Sequence, residues 1–225
     1  LITRHIASLR RAGSQALNNG TANGLANDQR GQARNDGNGV DIGAYEDQSP
    51  NYFLEVDNLV DEDDTDYSSG DLSLREAIKL AKSSLIPDTI NFASSLKDPL
   101  GNWVGSGTID MTLGEFGITD SLTINGDGRI TIDGGYTGTA GTGSRIFNID
   151  DLDNSNDITV TLNGLTLQKG NAGAAGFGGA IKSSENLNLN DSIIKDSTAG
   201  WGGGIAVWGP STTSTIISNS IISGN

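Results

Sequence analysis

From residue 88 onward the chain falls into short runs in which apolar and polar positions alternate, as in "DTINF" (88–92), "LTINGDGRITIDGG" (122–135) and "VTLNGLTLQ" (160–168). Alternation with a period of two predicts half-buried strands, and the Gly, Asn, Asp, Ser and Thr that bound each run predict tight turns. One stretch has the other period. In "SLREAIKLAKSS" (73–84), Leu74, Ala77, Ile78 and Ala81 share a helical face, and Ser73 with Glu76 forms an S-x-x-E capping box. Pro87 stops this helix and "DTINF" starts a strand.

The strands repeat. "LNGLTLQKGN" (162–171), "LNDSIIKDST" (189–198) and "ISNSIISGN" (217–225) align at spacings of 27 and 28 residues. "GGAI" (178–181) and "GGGI" (202–205) form a second marker, 24 residues apart, and "WGPSTTST" (208–215) lengthens the last unit. A period of 20-odd residues with strands and no helix predicts a coil of stacked units, each one turn of the next. Equivalent apolar positions then stack: Leu162, Leu165 and Leu167, then Leu189 and Ile194, then Ile217 and Ile222. Asn163, Asn190 and Ser218 share one polar column; Leu165, Ser192 and Ser220 share another. The glycine pairs supply positive φ or close backbone approach at corners. The expected fold is all-β, a right-handed parallel β-helix (β-solenoid) with one short N-terminal capping helix. A β-sandwich of hairpins is the competing arrangement, and Asn163-Gly164 suits its turns. The helix has its own alternative, packing sideways on the surface.

Composition narrows the partners. The 225 residues carry 32 glycines, four prolines, no cysteine and a formal charge of −14. That charge disfavours phosphate backbones, so no nucleic-acid partner is expected. Disulfides are excluded, and no apolar run approaches the ~20 residues needed to cross a bilayer.

The stretch "GNGVDIGAYEDQSPNYFLEVDN" (37–58) reads as a seam, with an apolar knot from Val40 to Tyr45, a polar break with Pro50, and an alternating run up to Val56. "DEDDTDYSSGDLSLREAI", "DTINF", "SRIFNI", "VTLNGLTLQKGNA", "GGAI" and "NSIISGN" together resemble bacterial extracellular β-helix domains named after a Cys-Ser-Leu-Arg-Glu-Ala motif. The glycine-rich units are also similar to those of polymorphic outer-membrane proteins. Leu72 stands where the motif has its cysteine, so no stapled cap carries over. "HIASLRRAGSQALNNG" with "NDQRGQARNDGNGVDIGAYE" resembles the closing segment of the same kind of domain. Residues 1–48 then form a closing segment that packs on its own chain or on a neighbouring copy, and residues 51–225 form the capping helix and coil. The resemblance implies an extracellular or bacterial cell-surface location, a structural or adhesive role and no catalysis.

Candidate chemistry is sparse. Asp61, Asp63, Asp64, Asp66 and Asp71 form a candidate calcium site, since Ca²⁺ takes six to eight oxygens. Against it, position six counted from Asp61 is Asp66 rather than Gly and position twelve is Leu72 rather than Glu; a solvated acidic loop ahead of a helix explains the same residues. Trp201 and Trp208 flank "GGGI" and are candidates for stacking on surface glycans, or simply aromatic corners. His5 is the single histidine and has no G-x-S-x-G beside it. Ser73, Leu74, Glu76 and Ile78 of the helix, with Asp41, Ile42 and Tyr45 of the closing segment, are the expected capping and assembly residues. The leading expectation is a module that polymerises head to tail through residues 1–46, its partners being other copies or adjacent tandem modules. A carbohydrate-binding or glycan-cleaving β-helix is the alternative.

Overall fold

The structure, a computed structural model, describes residues 54–81, 88–96, 107–153, 157–210 and 212–225. Apart from Asp88 they belong to one unit, Phe53–Lys82 with Thr89–Asn225. The closing segment, with Asp41, Ile42 and Tyr45, lies outside the described residues.

The alternating runs are strands. They are β1 (Leu54–Val56), β2 (Asp88–Phe92), β3 (Thr108–Asp110), β4 (Phe116–Ile118), β5 (Leu122–Asp133), β6 (Phe147–Ile149), β7 (Thr159–Gln168), β8 (Ile181–Ser183), β9 (Asn186–Asn190), β10 (Ile193–Lys195), β11 (Ile205–Val207), β12 (Thr215–Ser218) and β13 (Ile221–Ser223). One α-helix, α1 (Leu74–Ala81), stands between β1 and β2. The fold is therefore all-β with a single short α-helix among the described residues, and every pair with a described register is parallel. That pairing excludes the hairpin alternative, because hairpins make antiparallel neighbours.

The register explains the repeat. β7 bends at Gly164, which has φ +59°, so its first half pairs with β9 and its second half with β10. β9 then pairs with β12, and β10 with β13. A second sheet runs in the order β4, β6, β8, β11. Each three-segment unit thus pairs, segment for segment, with the unit that follows it.

Stacked registers make apolar columns. Ile124, Leu162 and Leu189 lie side by side and are buried, as do Ile132, Leu167 and Ile194. In the second sheet Phe116, Phe147 and Ile181 continue one column, the two rings 5.7 Å apart. Each fully buried Leu, Ile or Phe contributes roughly 1.5–3 kcal/mol over its exposed state.

The polar columns are satisfied along the stack. Asn125 donates to Asn91, Asn163 to Asn125 and Asn190 to Asn163, carboxamide to carboxamide, at 2.9, 2.8 and 2.9 Å. Next to it, the buried Ser192 hydroxyl accepts the Leu165 N–H at 3.1 Å and donates to the Asn190 carbonyl at 2.7 Å. Ser220 repeats the motif by accepting the Ser192 N–H at 3.1 Å. Ser192→Ala leaves a buried N–H without its acceptor, and urea unfolding is expected to show a loss of about 1–3 kcal/mol. An unchanged midpoint would mean that water reaches Leu165.

Helix α1 begins as its sequence specifies. Ser73 N–H donates to Glu76 Oε2 at 3.2 Å while Glu76 N–H donates to Ser73 Oγ at 3.2 Å, the reciprocal capping box. Leu74, Ala77, Ile78 and Ala81 are all buried, and the helix packs against β1 and β4.

Candidate functional site

β12 and β13 continue the registers of β9 and β10. Ile217 lies in register with Leu189, and Ile222 with Ile194, yet the two isoleucines are 46% and 45% exposed where their predecessors are fully buried. Ile216 and Ile221 are exposed beside them. Alternation still points Ile217 and Ile222 along the core columns, but among the described residues no strand pairs beyond β12 and β13.

Three aromatic residues gather in the glycine-rich segments. Phe177 and Trp201 make an isolated parallel bridge, and their rings stack with centroids 4.9 Å apart and planes inclined by 19°. Trp208 tilts against Phe177 at 5.8 Å. Trp201 and Trp208 remain 57% and 72% exposed. Arg145 holds the base of the cluster: its Nε donates to the carbonyls of Phe177 and Gly178 at 3.0 and 3.1 Å, and its Nη1 pairs with Glu115 at 2.6 Å. Sequence reasoning found the two tryptophans and missed Phe177, although "GFGG" and "GWGG" place the two aromatics in one column.

The acidic loop is put to other uses. Asp61 turns inward, accepting from Arg75 Nε and Nη2 at 2.7 and 3.1 Å and from the N–H groups of Thr112 and Leu113 at 2.7 and 2.9 Å. Burial pushes its carboxyl up, but the hydrogen bonds from Arg75, Leu113 and Thr112 and the guanidinium charge outweigh burial, so its pKa lies below the ordinary value. Asp63 pairs with Lys79. Asp64 accepts the Asp66 N–H at 2.8 Å, and Asp66 accepts the Ser68 N–H at 2.9 Å. Asp71 and Glu62 are pushed up, by desolvation first and then by each loop's neighbouring carboxylates, Asp64 and Glu76 acting on both. Asp57, which borders the candidate set, clamps the loop by accepting from the N–H groups of Gly70 and Leu72 at 2.5 and 2.9 Å. Asp61 and Asp63 are thus paired with Arg75 and Lys79, while Asp64 and Asp66 lie near Asp71; among the described residues no group of three or more His, Cys, Asp or Glu side chains is placed to hold a metal ion.

The capping residues of α1 are brought together. Glu76 is fully buried, closing the box with Ser73 and accepting the Thr65 N–H at 3.0 Å through its second oxygen. No helix among the described residues is long and apolar enough to cross a membrane. No protein-family profile, curated protein or solved structure matches this chain.

Proposed function

We propose that this chain is a structural, adhesive module of an extracellular or bacterial cell surface, a right-handed parallel β-helix closed at one end by α1, that joins other copies of itself end to end. The observation that carries the reading is the unit-on-unit register: β7 pairs with β9 and β10, and these pair with β12 and β13, so that Leu162, Leu189, Leu167 and Ile194 are buried in shared columns. The same pairing continued by another copy on β12 and β13 buries Ile217 and Ile222 and satisfies a row of backbone groups at once.

The strand is supplied by residues 1–46 of a second copy. This segment contains the apolar run from Val40 to Tyr45. It is also the basic part of an acidic chain: Arg4, Arg10, Arg11, Arg30 and Arg34 face a single acid, Asp28, within the first 34 residues, while the whole protein carries −14. The basic segment and the acidic remainder of the chain attract at long range, which favours encounter between copies. A contact between unlike surfaces that does not close into a ring extends into a filament.

Sedimentation of the full chain from about 1 μM to about 1 mM is expected to show mass rising with concentration. The double substitution Ile217→Lys with Ile222→Lys places charges at positions where lysine tips reach water, so the fold persists and association is lost. Removing residues 1–46 is expected to abolish association as well; association that survives the removal moves the contact to the two sheet ends themselves. A full chain that stays monomeric throughout the range overturns the proposal. The second reading, a carbohydrate-acting surface, rests on Trp208 and Trp201, whose exposed rings suit the apolar faces of sugars.

A further inference from the structure

β5 departs from the register of β7 between Asn125 and Ile130: Gly126, Asp127, Gly128 and Arg129 stand where β7 has Gly164 alone. Gly164 permits the approach, since a Cβ there would lie 2.6 Å from the Gly128 nitrogen. Asp127 and Gly128 of the insertion, together with the asparagine column, line an open surface pocket of about 470 Å³, within the size range of small-molecule sites. Asn91, Asn125 and Asn163 line it, with Asp127, Asp191 and Phe92, whose side chain belongs to the buried core.

The chemistry of this lining selects a ligand class. Its described residues include no Lys or Arg, so it lacks the groups that hold phosphate or sulfate. No third carboxylate joins Asp127 and Asp191 in the lining, and among the described residues no group of three or more His, Cys, Asp or Glu could hold a metal ion. Each amide has two N–H groups and two carbonyl lone pairs, and the ladder bonds Asn163 to Asn125 and Asn125 to Asn91 through one donor and one acceptor apiece. Hydroxyl groups also donate and accept at once, and carboxylates accept from them strongly. Parallel strands repeat at about 4.8 Å, so the amides form a row with a spacing of the order of one sugar ring.

We infer that this pocket is a binding site for a neutral saccharide, its hydroxyls held by the asparagine column and the two aspartates. The inference goes beyond the assembly reading, for none of these residues lies on β11, β12 or β13.

The test is a titration of the ¹⁵N-labelled full chain with cellopentaose, xylopentaose, mannopentaose and maltopentaose. At least one is expected to bind with a Kd of about 1 mM or tighter and to shift the side-chain amide signals of Asn125 and Asn163. Asp191→Gly removes one carboxylate while keeping the backbone, because Asp191 has φ +50° and glycine already serves the same column at Gly164; it is expected to weaken binding about tenfold. No shift with any of the four sugars at about 10 mM, shifts confined to the indoles of Trp201 and Trp208, or an unchanged affinity in Asp191→Gly each overturns the inference. Binding of inorganic phosphate at the same amides overturns the assignment of a neutral ligand.

Discussion

Asp61→Ala is expected to destabilise the protein by about 3–5 kcal/mol, the cost of leaving one member of a buried ion pair without the other. Asp61 has no exposed side-chain surface and Arg75 only 11%. The alanine strands a guanidinium that is already committed elsewhere: Arg75 donates to the carbonyls of Gly114 and Glu115 at 2.7 and 3.3 Å and lies 4.5 Å over the Phe116 ring. It also strips the Thr112 and Leu113 N–H groups of their acceptor. For a chain of this size the melting temperature falls by roughly 10 °C. The effect has a pH signature. The folded pKa of Asp61 is depressed, so its contribution is complete above the unfolded value near ~3.9 and is lost as pH falls through the lower folded value. Melting curves of the two proteins should therefore converge as pH drops from about 5 toward 2. A gap that stays constant over that range would assign the loss to packing rather than charge.

The second large effect is expected at Gly179. A Cβ there would lie 2.2 Å from the Gly203 carbonyl oxygen and 2.5 and 2.6 Å from the Thr198 oxygen and nitrogen, all backbone atoms that no rotamer change can move aside. Gly179→Ala is expected to cost about 3 kcal/mol through forced backbone displacement, read as a lower urea midpoint with an unchanged slope. Its neighbour Gly178 differs in mechanism. It has φ +62°, so alanine there adds left-handed strain to a contact of 2.0 Å with the Ile181 carbonyl oxygen. The same division of labour holds at Gly202 and Gly203 in the following unit, the first with φ +61° and the second meeting backbone within 2.9 Å. A Gly179→Ala variant as stable as the native chain would mean that successive corners are not in contact.

These glycines show how far the fold was legible. The paired Gly-Gly markers, the polar and apolar columns and the capping box are all local or strictly periodic, and one-dimensional spacing suffices to align them. The asparagine ladder was legible only in part. Asn163 and Asn190 are 27 residues apart and fall on the period. Asn125 lies 38 residues before Asn163 and Asn91 34 before Asn125, because excursions outside the strands and the β5 insertion stretch those units. The Asp61–Arg75 pair was hidden for another reason. Helix periodicity places Arg75 beside the buried face, but nothing local says that a loop acid 14 residues earlier will turn inward to meet it. The cavity was equally hidden, since it depends on an extra length of chain folding back over a neighbouring strand.

The corner between β11 and β12 shows where the stack is indifferent to sequence. Between Trp208 and Ser214 the last unit runs longer than its predecessor, yet Thr215 to Ser218 still sit opposite Leu187 to Asn190 without a slip. Strand register is set by the columns beneath, and surplus residues leave as a loop. That corner is therefore a grafting position: a foreign epitope or tag spliced there is displayed on the outside while the hydrogen-bonded ladders on either side keep their alignment.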